Sequence, residues 1–326
     1  MPVEVAPRLV PESEPTRLVM RNVDFHVGDD VVMHVRYLRG VMRGDHGVVD
    51  FDDSKSFVTW VDSAEVALGA DDLANLLNNH VFAYPGAPIR RLHITLRDST
   101  LEQSGILHKG VDIPFRIRST VTVTPEGLLR LHPISTKILC VNGDKLMGAL
   151  HLTMEKMVDV SRAVGVSIEK NDFIIDPIRA LPPPSIRGRV LSARVANGLL
   201  VQRVGPAPGA PDPPAVAALA PPDSAAPNYM YYRGGRLHFG RKLLMTDADM
   251  QVIDGDPSTP FDFNIDRYMM QLVNGYSRSL SNAALWVVMP DANAPRRLEQ
   301  TVGGDVALPN TGCACDARTR RTPRSP

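Results

Sequence analysis

Strict alternation of apolar and polar residues is the feature that most restricts the fold of this chain. In "VDIPFRIRSTVTV" (111–123) one side is polar, and the other side is apolar and comprises Ile113, Phe115, Ile117, Val121 and Val123. The segment "IRRLHITLRD" (89–98) alternates in the same way through Leu92, Ile94 and Leu96. Successive side chains of a strand point to opposite faces of a sheet. A period of two over this length therefore predicts half-buried antiparallel strands.

Glycine-containing turns separate further alternating segments. They occur in "TPEGLLRLHP" (124–133), "VANGLLVQRV" (195–204) and "YRGGRLHFGR" (232–241). Each pattern predicts a β-hairpin. The signal is strongest at Asn197-Gly198, because Asn-Gly readily adopts the positive φ angles of a type I′ turn.

Three segments have a helical period instead, namely 70–82, 143–165 and 264–280. The second predicts a helix whose broad apolar stripe includes Met147, Leu150, Met154 and Met157. Strands that outnumber the helices in this way predict an α+β fold. We expect a large, strongly curved antiparallel sheet, barrel-like or wrapped, packed on two or three helices.

The distribution of the 28 prolines divides the chain. Proline-rich segments without apolar periodicity are typical of linkers and disordered tails. The predicted organisation is a disordered N-terminal segment (1–17), a main sheet-plus-helix domain (18–204), a Pro-rich linker or loop (205–228), a hairpin–helix–strand unit that completes the sheet (229–291) and a disordered tail (292–326).

Charge and motifs exclude several functional classes. Thirty-six basic residues balance thirty-six acidic ones, which is atypical of nucleic-acid binding. The histidines lack metal-ligand spacing, and the chain has no phosphate-binding loop or nucleophile motif. We therefore expect no enzyme activity and no cofactor.

The sequence also bears on localisation. No segment reaches the roughly 18 apolar residues of a membrane-spanning helix. The first residues lack the apolar region of an export signal. If Met1 is the correct start, we expect a cytoplasmic protein. An export segment upstream of Met1 would instead indicate the periplasm or cell envelope.

The segment "LLMTDADMQVIDGDP" (243–257) is rich in aspartate. Interpreted as a strand, it has an apolar face from Leu244 to Val252 that includes Met250, and a hydrated face with Asp247, Asp249 and Gln251. Asp254-Gly255 then predicts a hairpin turn. Two carboxylates on one strand face lie about 7 Å apart. Asp247 and Asp249 are therefore weak metal candidates, and a divalent-ion-dependent hydrolase is one alternative function.

Methionine is abundant, with 13 residues. Its flexible, polarizable side chain suits surfaces that accept varied apolar shapes. The predicted site is an apolar groove between helix and curved sheet that binds a lipid-like ligand, and an ordinary helix-on-sheet core is the alternative. The candidate groove residues are Met147, Leu150, Met154, Met157, Phe115, Ile117, Val121, Met250 and Met269.

The patterns "SFVTWVDSAEVALGADDLANLLNNHVF" (56–82) and "PIRRLHITLRDSTLEQSGILHKGVDIPFRIRSTVTVTPEGLLRLHP" (88–133) resemble bacterial lipid-binding proteins of the TULIP-like superfamily. That family includes a mycobacterial phospholipid-binding envelope protein. The resemblance implies a long sheet wrapped around a helix, acyl chains in the groove, and peripheral contact with a membrane. A structural or assembly protein that binds another protein through its sheet is a further alternative, and the sequence leaves the oligomeric state open.

Overall fold

The computed structural model describes residues 14–138, 141–142, 153–210, 219–281 and 283–294. More than half of these residues lie in strands, and three short α-helices accompany them. The predicted β-rich α+β class with a curved sheet is thus confirmed. Sheet order, register and helix lengths differ in several places from the sequence patterns.

The large sheet has eleven strands. Their order is β13-β14-β4-β2-β1-β15-β18-β21-β20, with β12 beside β4 and β19 beside β1. Most pairs are antiparallel, whereas β1–β19, β4–β12 and β18–β21 are parallel. The bounds are β1 (Thr16–Val27), β2 (Val31–Gly44), β4 (Phe57–Leu68), β12 (Ser185–Arg187), β13 (Arg189–Ala196), β14 (Leu199–Gly205), β15 (Tyr229–Arg233), β18 (Asp249–Asp254), β19 (Phe261–Asn264), β20 (Tyr276–Ser279) and β21 (Leu285–Met289).

A second sheet of seven strands curls into a half-barrel, and we call it the curled sheet. Its order is β10-β11-β8-β7-β6-β5, with β9 beside β8. Its strands are β5 (Ile89–Arg97), β6 (Thr100–Lys109), β7 (Val111–Val123), β8 (Leu129–Ile138), β9 (Val141–Asn142), β10 (Val166–Glu169) and β11 (Asp172–Ile175). The small sheet contains β3 (Val49–Asp50), β16 (Leu237–Phe239) and β17 (Leu243–Met245).

Two of the three predicted hairpins are confirmed. Strands β7 and β8 pair across the turn at 124–128, and β13 pairs with β14 across Asn197 and Gly198, whose φ angles are 53° and 75°. The third prediction is wrong. Gly234 and Gly235 also have positive φ angles, but β15 belongs to the large sheet and β16 to the small sheet. This turn therefore leads the chain from one sheet into another.

The helices are shorter than their sequence periods predict. Helix α1 (Ala70–Leu76) continues into a π turn (Leu77–Val81), and together they cover residues 70–81 of the segment predicted at 70–82. Helix α2 (Met154–Met157) has only four residues. Helix α3 (Tyr268–Asn274) ends at Gly275 and is followed by β20.

The predicted helix at 143–165 is wrong where the structure describes it. Residues 143–152 lie outside the described residues. After α2 the chain becomes extended at Val158, and Val158 and Val160 are buried while Asp159 is exposed. This burial has the period of an extended chain, so the methionine-rich segment does not form one long apolar stripe.

The aspartate-rich segment 243–257 is not one half-exposed strand. Ala248, Met250 and Val252 are buried as predicted, but Leu244 is 48% exposed and Gln251 is fully buried. Strands β15 and β21 pair with the two edges of β18, and its side chains are buried on both faces from Met250 to Asp254. The segment around Asp223 covers the Gln251 side, where Gln251 Oε1 accepts from Asp223 N (2.8 Å) and Gln251 Nε2 donates to Asp223 O (2.8 Å).

The hairpin predicted at Asp254-Gly255 is also wrong. Strand β18 pairs with β15 and β21, whereas β19 pairs with β1. The Asp254 carboxylate instead accepts hydrogen bonds from Asp256 N (2.8 Å) and Asn228 Nδ2 (3.0 Å). The turn is thus held by a buried carboxyl group.

Asp254 predicts a pH dependence of stability. Burial raises the pKa of Asp254 to about 6, whereas an unfolded aspartate has a pKa of about 3.9. The folded protein therefore binds this proton more tightly, and the free energy of unfolding should fall as the pH rises from about 4 to about 6. Urea denaturation at a series of pH values measures this slope. In the Asp254→Asn variant the free energy of unfolding should depend less on pH over this range. The same dependence in both proteins would show that Asp254 does not titrate near pH 6.

Candidate ligand-binding cavity

The apolar faces of the large and curled sheets meet in one continuous core, and a cavity of about 70 Å³ remains within it. Strands of both sheets, α1 and the segment 177–181 enclose the cavity. Most of the lining is apolar, and it comprises Met33, Val66, Leu68, Leu73, Leu76, Leu77, Ile94, Leu101, Leu129, Leu131, Ile175, Pro177, Ile178, Ala180, Leu181, Leu200 and Val204.

Two glutamines interrupt this apolar lining. Gln103 comes from β6 of the curled sheet and Gln202 from β14 of the large sheet. Both side chains are buried, and the described part of the lining contains no charged residue. The cavity thus has apolar walls and one neutral amide on each of its two sheets.

Gln103 lies in the buried row of β6, in phase with Leu101 and Leu107. Its cross-strand neighbours are Ile94 on β5 and Ile117 on β7. The side chain is 5% exposed, and its Nε2 has no hydrogen-bond partner within the described part of the chain. A buried polar group without a partner costs about 1–3 kcal/mol, because it loses its hydrogen bonds to water.

Two other buried glutamines have partners for both ends of the amide. Gln251 exchanges two hydrogen bonds with the backbone of Asp223. Gln271 Oε1 accepts from Asn264 N (3.0 Å), and its Nε2 donates to Asp262 O (2.9 Å) and Pro290 O (2.8 Å). The unpaired Nε2 of Gln103 is therefore a local property of the cavity, because the same side chain is fully paired at two other buried positions.

A second cavity of about 20 Å³ lies beside the first. Leu77, Gln103 and Ile175 line both cavities, and Phe115 lines the smaller one. The two spaces are thus neighbours that share these three side chains. Gln103 lies at the boundary between them.

The π turn after α1 positions Leu77 at this boundary. Asn78 in the same turn donates to Leu92 O (2.8 Å) and accepts from Leu92 N (2.9 Å), which attaches the turn to the curled sheet. Through these two hydrogen bonds, the turn joins the wall of both cavities to β5. Short π segments inside helices are frequent at functional sites.

Asp30 attaches the same helix to the large sheet. Asn75 Nδ2 donates to Asp30 O (2.8 Å), and His80 Nε2 lies 3.2 Å from Asp30 Oδ1. Partial burial acts to raise the pKa of Asp30, but hydrogen bonds from Asn79 and His80 outweigh it and hold the pKa below its usual range. Helix α1 and its π turn thus bridge the two sheets over the cavity.

The structure does not gather the predicted groove residues in one place. Ile117 lies beside Gln103, Phe115 lines the smaller cavity, and Val121 packs partly buried against the core. Met154 is buried at the start of α2, and Met157 borders an open surface depression of about 550 Å³. That depression has charged side chains of both signs, so it indicates no single ligand class.

The remaining predicted methionines do not line the cavity. Met250 is fully buried in β18, and Met269 is part of α3, where its Sδ lies near Gly240. Met147 and Leu150 lie outside the described residues. Met33 is the one methionine in the lining, so the described cavity walls consist mainly of leucine, isoleucine and valine.

The sequence contained a signal for the two glutamines. Gln103 is in phase with Leu101 and Leu107, and Gln202 is in phase with Leu200 and Val204. A polar residue in an apolar row of alternating segments marks a buried polar group.

The two weak metal candidates differ in their surroundings. Asp247 is exposed, whereas Asp249 accepts a hydrogen bond from Tyr231 (3.1 Å) and forms an ion pair with Arg233. A different group, Asp50, Asp52 and His238, has potential ligand atoms within 4.8 Å of one another.

Hydrogen bonds within the protein explain why Asp50, Asp52 and His238 lie close together. His238 Nδ1 lies 2.9 Å from Asp50 Oδ1, and this hydrogen bond raises the pKa of His238. Asp52 accepts from Arg241 N (2.9 Å) and from the Tyr268 hydroxyl. The first two bonds join segments of the small sheet, and the bond from Tyr268 attaches that sheet to α3, so the three side chains have a structural role.

Comparison with protein-family models, curated proteins and solved structures gives no match for this chain. Among the described residues, no helix combines the length and the apolar character that crossing a membrane requires.

The buried glutamines make opposite predictions for stability. Gln103→Leu removes an unpaired amide from an apolar site, so the free energy of unfolding should rise by about 1 kcal/mol. The matched variant Gln271→Leu leaves three backbone groups without a partner and should lower it by about 2–3 kcal/mol. Urea denaturation measures both changes. Equal destabilisation by the two variants would show that Gln103 is paired in solution.

Proposed function

We propose that this protein binds a lipid-like apolar ligand, without catalysis, between α1 and the two sheets. The observation that supports the proposal is a mostly apolar cavity between the two sheets, lined by Gln103, whose Nε2 has no hydrogen-bond partner among the described residues. Ligand sites are concave and mostly apolar, with a few polar groups that orient the ligand. The cavity has this composition.

The size of the cavity requires that the walls move. A cavity of about 150 Å³ holds benzene, and the larger cavity here has about 70 Å³. A chain-like ligand would therefore displace side chains at the boundary between the two cavities. Leu77 lies at this boundary on the helical segment, so outward movement of α1 and its π turn would join both spaces.

The resemblance of residues 56–82 and 88–133 to TULIP-like lipid-binding proteins agrees with this proposal. In such proteins a long sheet and a helix enclose the acyl chains. The segments that carry the resemblance contain β4, α1 and β5 to β7, together with the first residues of β8. Several of the cavity walls come from these elements.

A cavity-filling variant tests the proposal. Ala180 is buried in the cavity lining, so Ala180→Leu should occupy the space and weaken binding of a neutral fluorescent polyene by at least about tenfold. Fluorescence titration of the full chain measures the affinity, and mass spectrometry of organic extracts detects lipid carried through purification.

The control is Ala226→Leu. Ala226 is equally buried but packs in a separate cluster with Tyr229, Tyr231 and Ile253. Overpacking there should lower the melting temperature and leave the polyene affinity unchanged. Wild-type protein that neither carries extractable lipid nor binds the polyene would contradict the proposed function.

A further inference from the structure

We infer that the ligand is a neutral lipid with a hydrogen-bond acceptor within its chain, such as the carbonyl of a long-chain alkyl ester, and that Gln103 Nε2 binds this oxygen. The inference rests on the proposed function and specifies the chemical class of the ligand.

The donor is the first part of the argument. The terminal amide nitrogen of glutamine carries two N–H groups. At Gln103 this nitrogen is buried without a partner among the described residues, beside Leu101 and Ile94 of the cavity lining and opposite Ile117 on β7. An acceptor oxygen on the ligand would restore the missing hydrogen bond. A pure hydrocarbon would leave the amide unpaired, so an oxygen-containing lipid should bind more tightly.

The absence of charge in the lining selects a neutral acceptor. Among the residues that the structure describes, none that lines either cavity is charged. Burial of a carboxylate or phosphate without a cationic partner is strongly unfavourable. An ionised fatty acid or a phospholipid headgroup therefore does not suit this position, whereas an ester or ketone carbonyl does.

The position of Gln103 places the acceptor within the chain of the ligand. Gln103 lines both the larger and the smaller cavity, and apolar side chains extend away from it on each side. A ligand oxygen at Gln103 would have one apolar arm in each space. Gln202 supplies a second buried amide on the opposite sheet, in the wall of the larger cavity.

A matched ligand series tests the inference. The ligands are a long-chain alkyl ester, the alkane of equal length and the corresponding carboxylate above its pKa, each measured by displacement of the fluorescent polyene. Wild-type protein should bind the ester about five- to tenfold more tightly than the alkane. The carboxylate should bind more weakly than the ester.

Two variants locate the effect. Gln103→Leu should bind ester and alkane equally, with alkane affinity retained. Ser119→Ala is the control, because Ser119 Oγ is also buried without a partner but its residue lines neither cavity. This variant should keep the preference for the ester. Urea denaturation of both variants establishes that they are folded.

Three results would overturn the inference while the proposed function stands: equal binding of ester and alkane by the wild type, tightest binding of the carboxylate, or an ester preference that survives Gln103→Leu. Failure of every ligand, the polyene included, would instead contradict the proposed function.

Discussion

The structure depends on the apolar contact between the large sheet and the curled sheet. Each sheet alone has one row of apolar side chains after another on its inner face, and each needs the other to exclude water. Helix α1 is too short to cover either sheet and instead fills the gap between them, attached to one by Asp30 and to the other by Leu92. The cavity is a consequence of this arrangement, because the curled sheet, the large sheet and a short helix do not fill their common space completely.

Buried glutamine has two different effects in this protein. At Gln251 and Gln271 the side-chain amide forms hydrogen bonds with backbone N–H and C=O groups of neighbouring segments. These bonds attach irregular segments to the large sheet. At Gln103 the strand hydrogen bonds already satisfy the backbone, and the amide nitrogen faces apolar side chains. Residue type and burial are the same at these positions, so only the surrounding geometry distinguishes a structural amide from a candidate binding group.

Local sequence patterns correctly predict those features that residues close together in sequence determine, such as hairpins. The β7–β8 and β13–β14 hairpins follow from alternation and from turns with positive φ angles. The pairing of strands that are distant in sequence leaves no pattern in the local sequence. The hairpins predicted at Gly234-Gly235 and Asp254-Gly255 are wrong because the strands beside these turns pair with distant strands instead. The exposed face predicted for Gln251 failed for a related reason, because a residue 28 positions away in sequence, Asp223, covers it. The helix predicted for the methionine-rich segment is wrong for another reason: its apolar residues fit a helical stripe, but α2 ends at Met157 and the backbone is extended at Val158.

The central position of β1 has a consequence for the synthesis of the chain. One edge of β1 pairs with β2, while its other edge pairs with β15 in the first part of the strand and with β19 in the second. Strand β15 begins at Tyr229, about 200 residues after β1 ends at Val27. At a translation rate of roughly 5–20 residues per second, that edge waits on the order of 10–40 s for its partner. During this time the nascent protein exposes an unpaired strand edge that can join other chains, so its yield in the cell should depend on protection at the ribosome as well as on the stability of the finished fold.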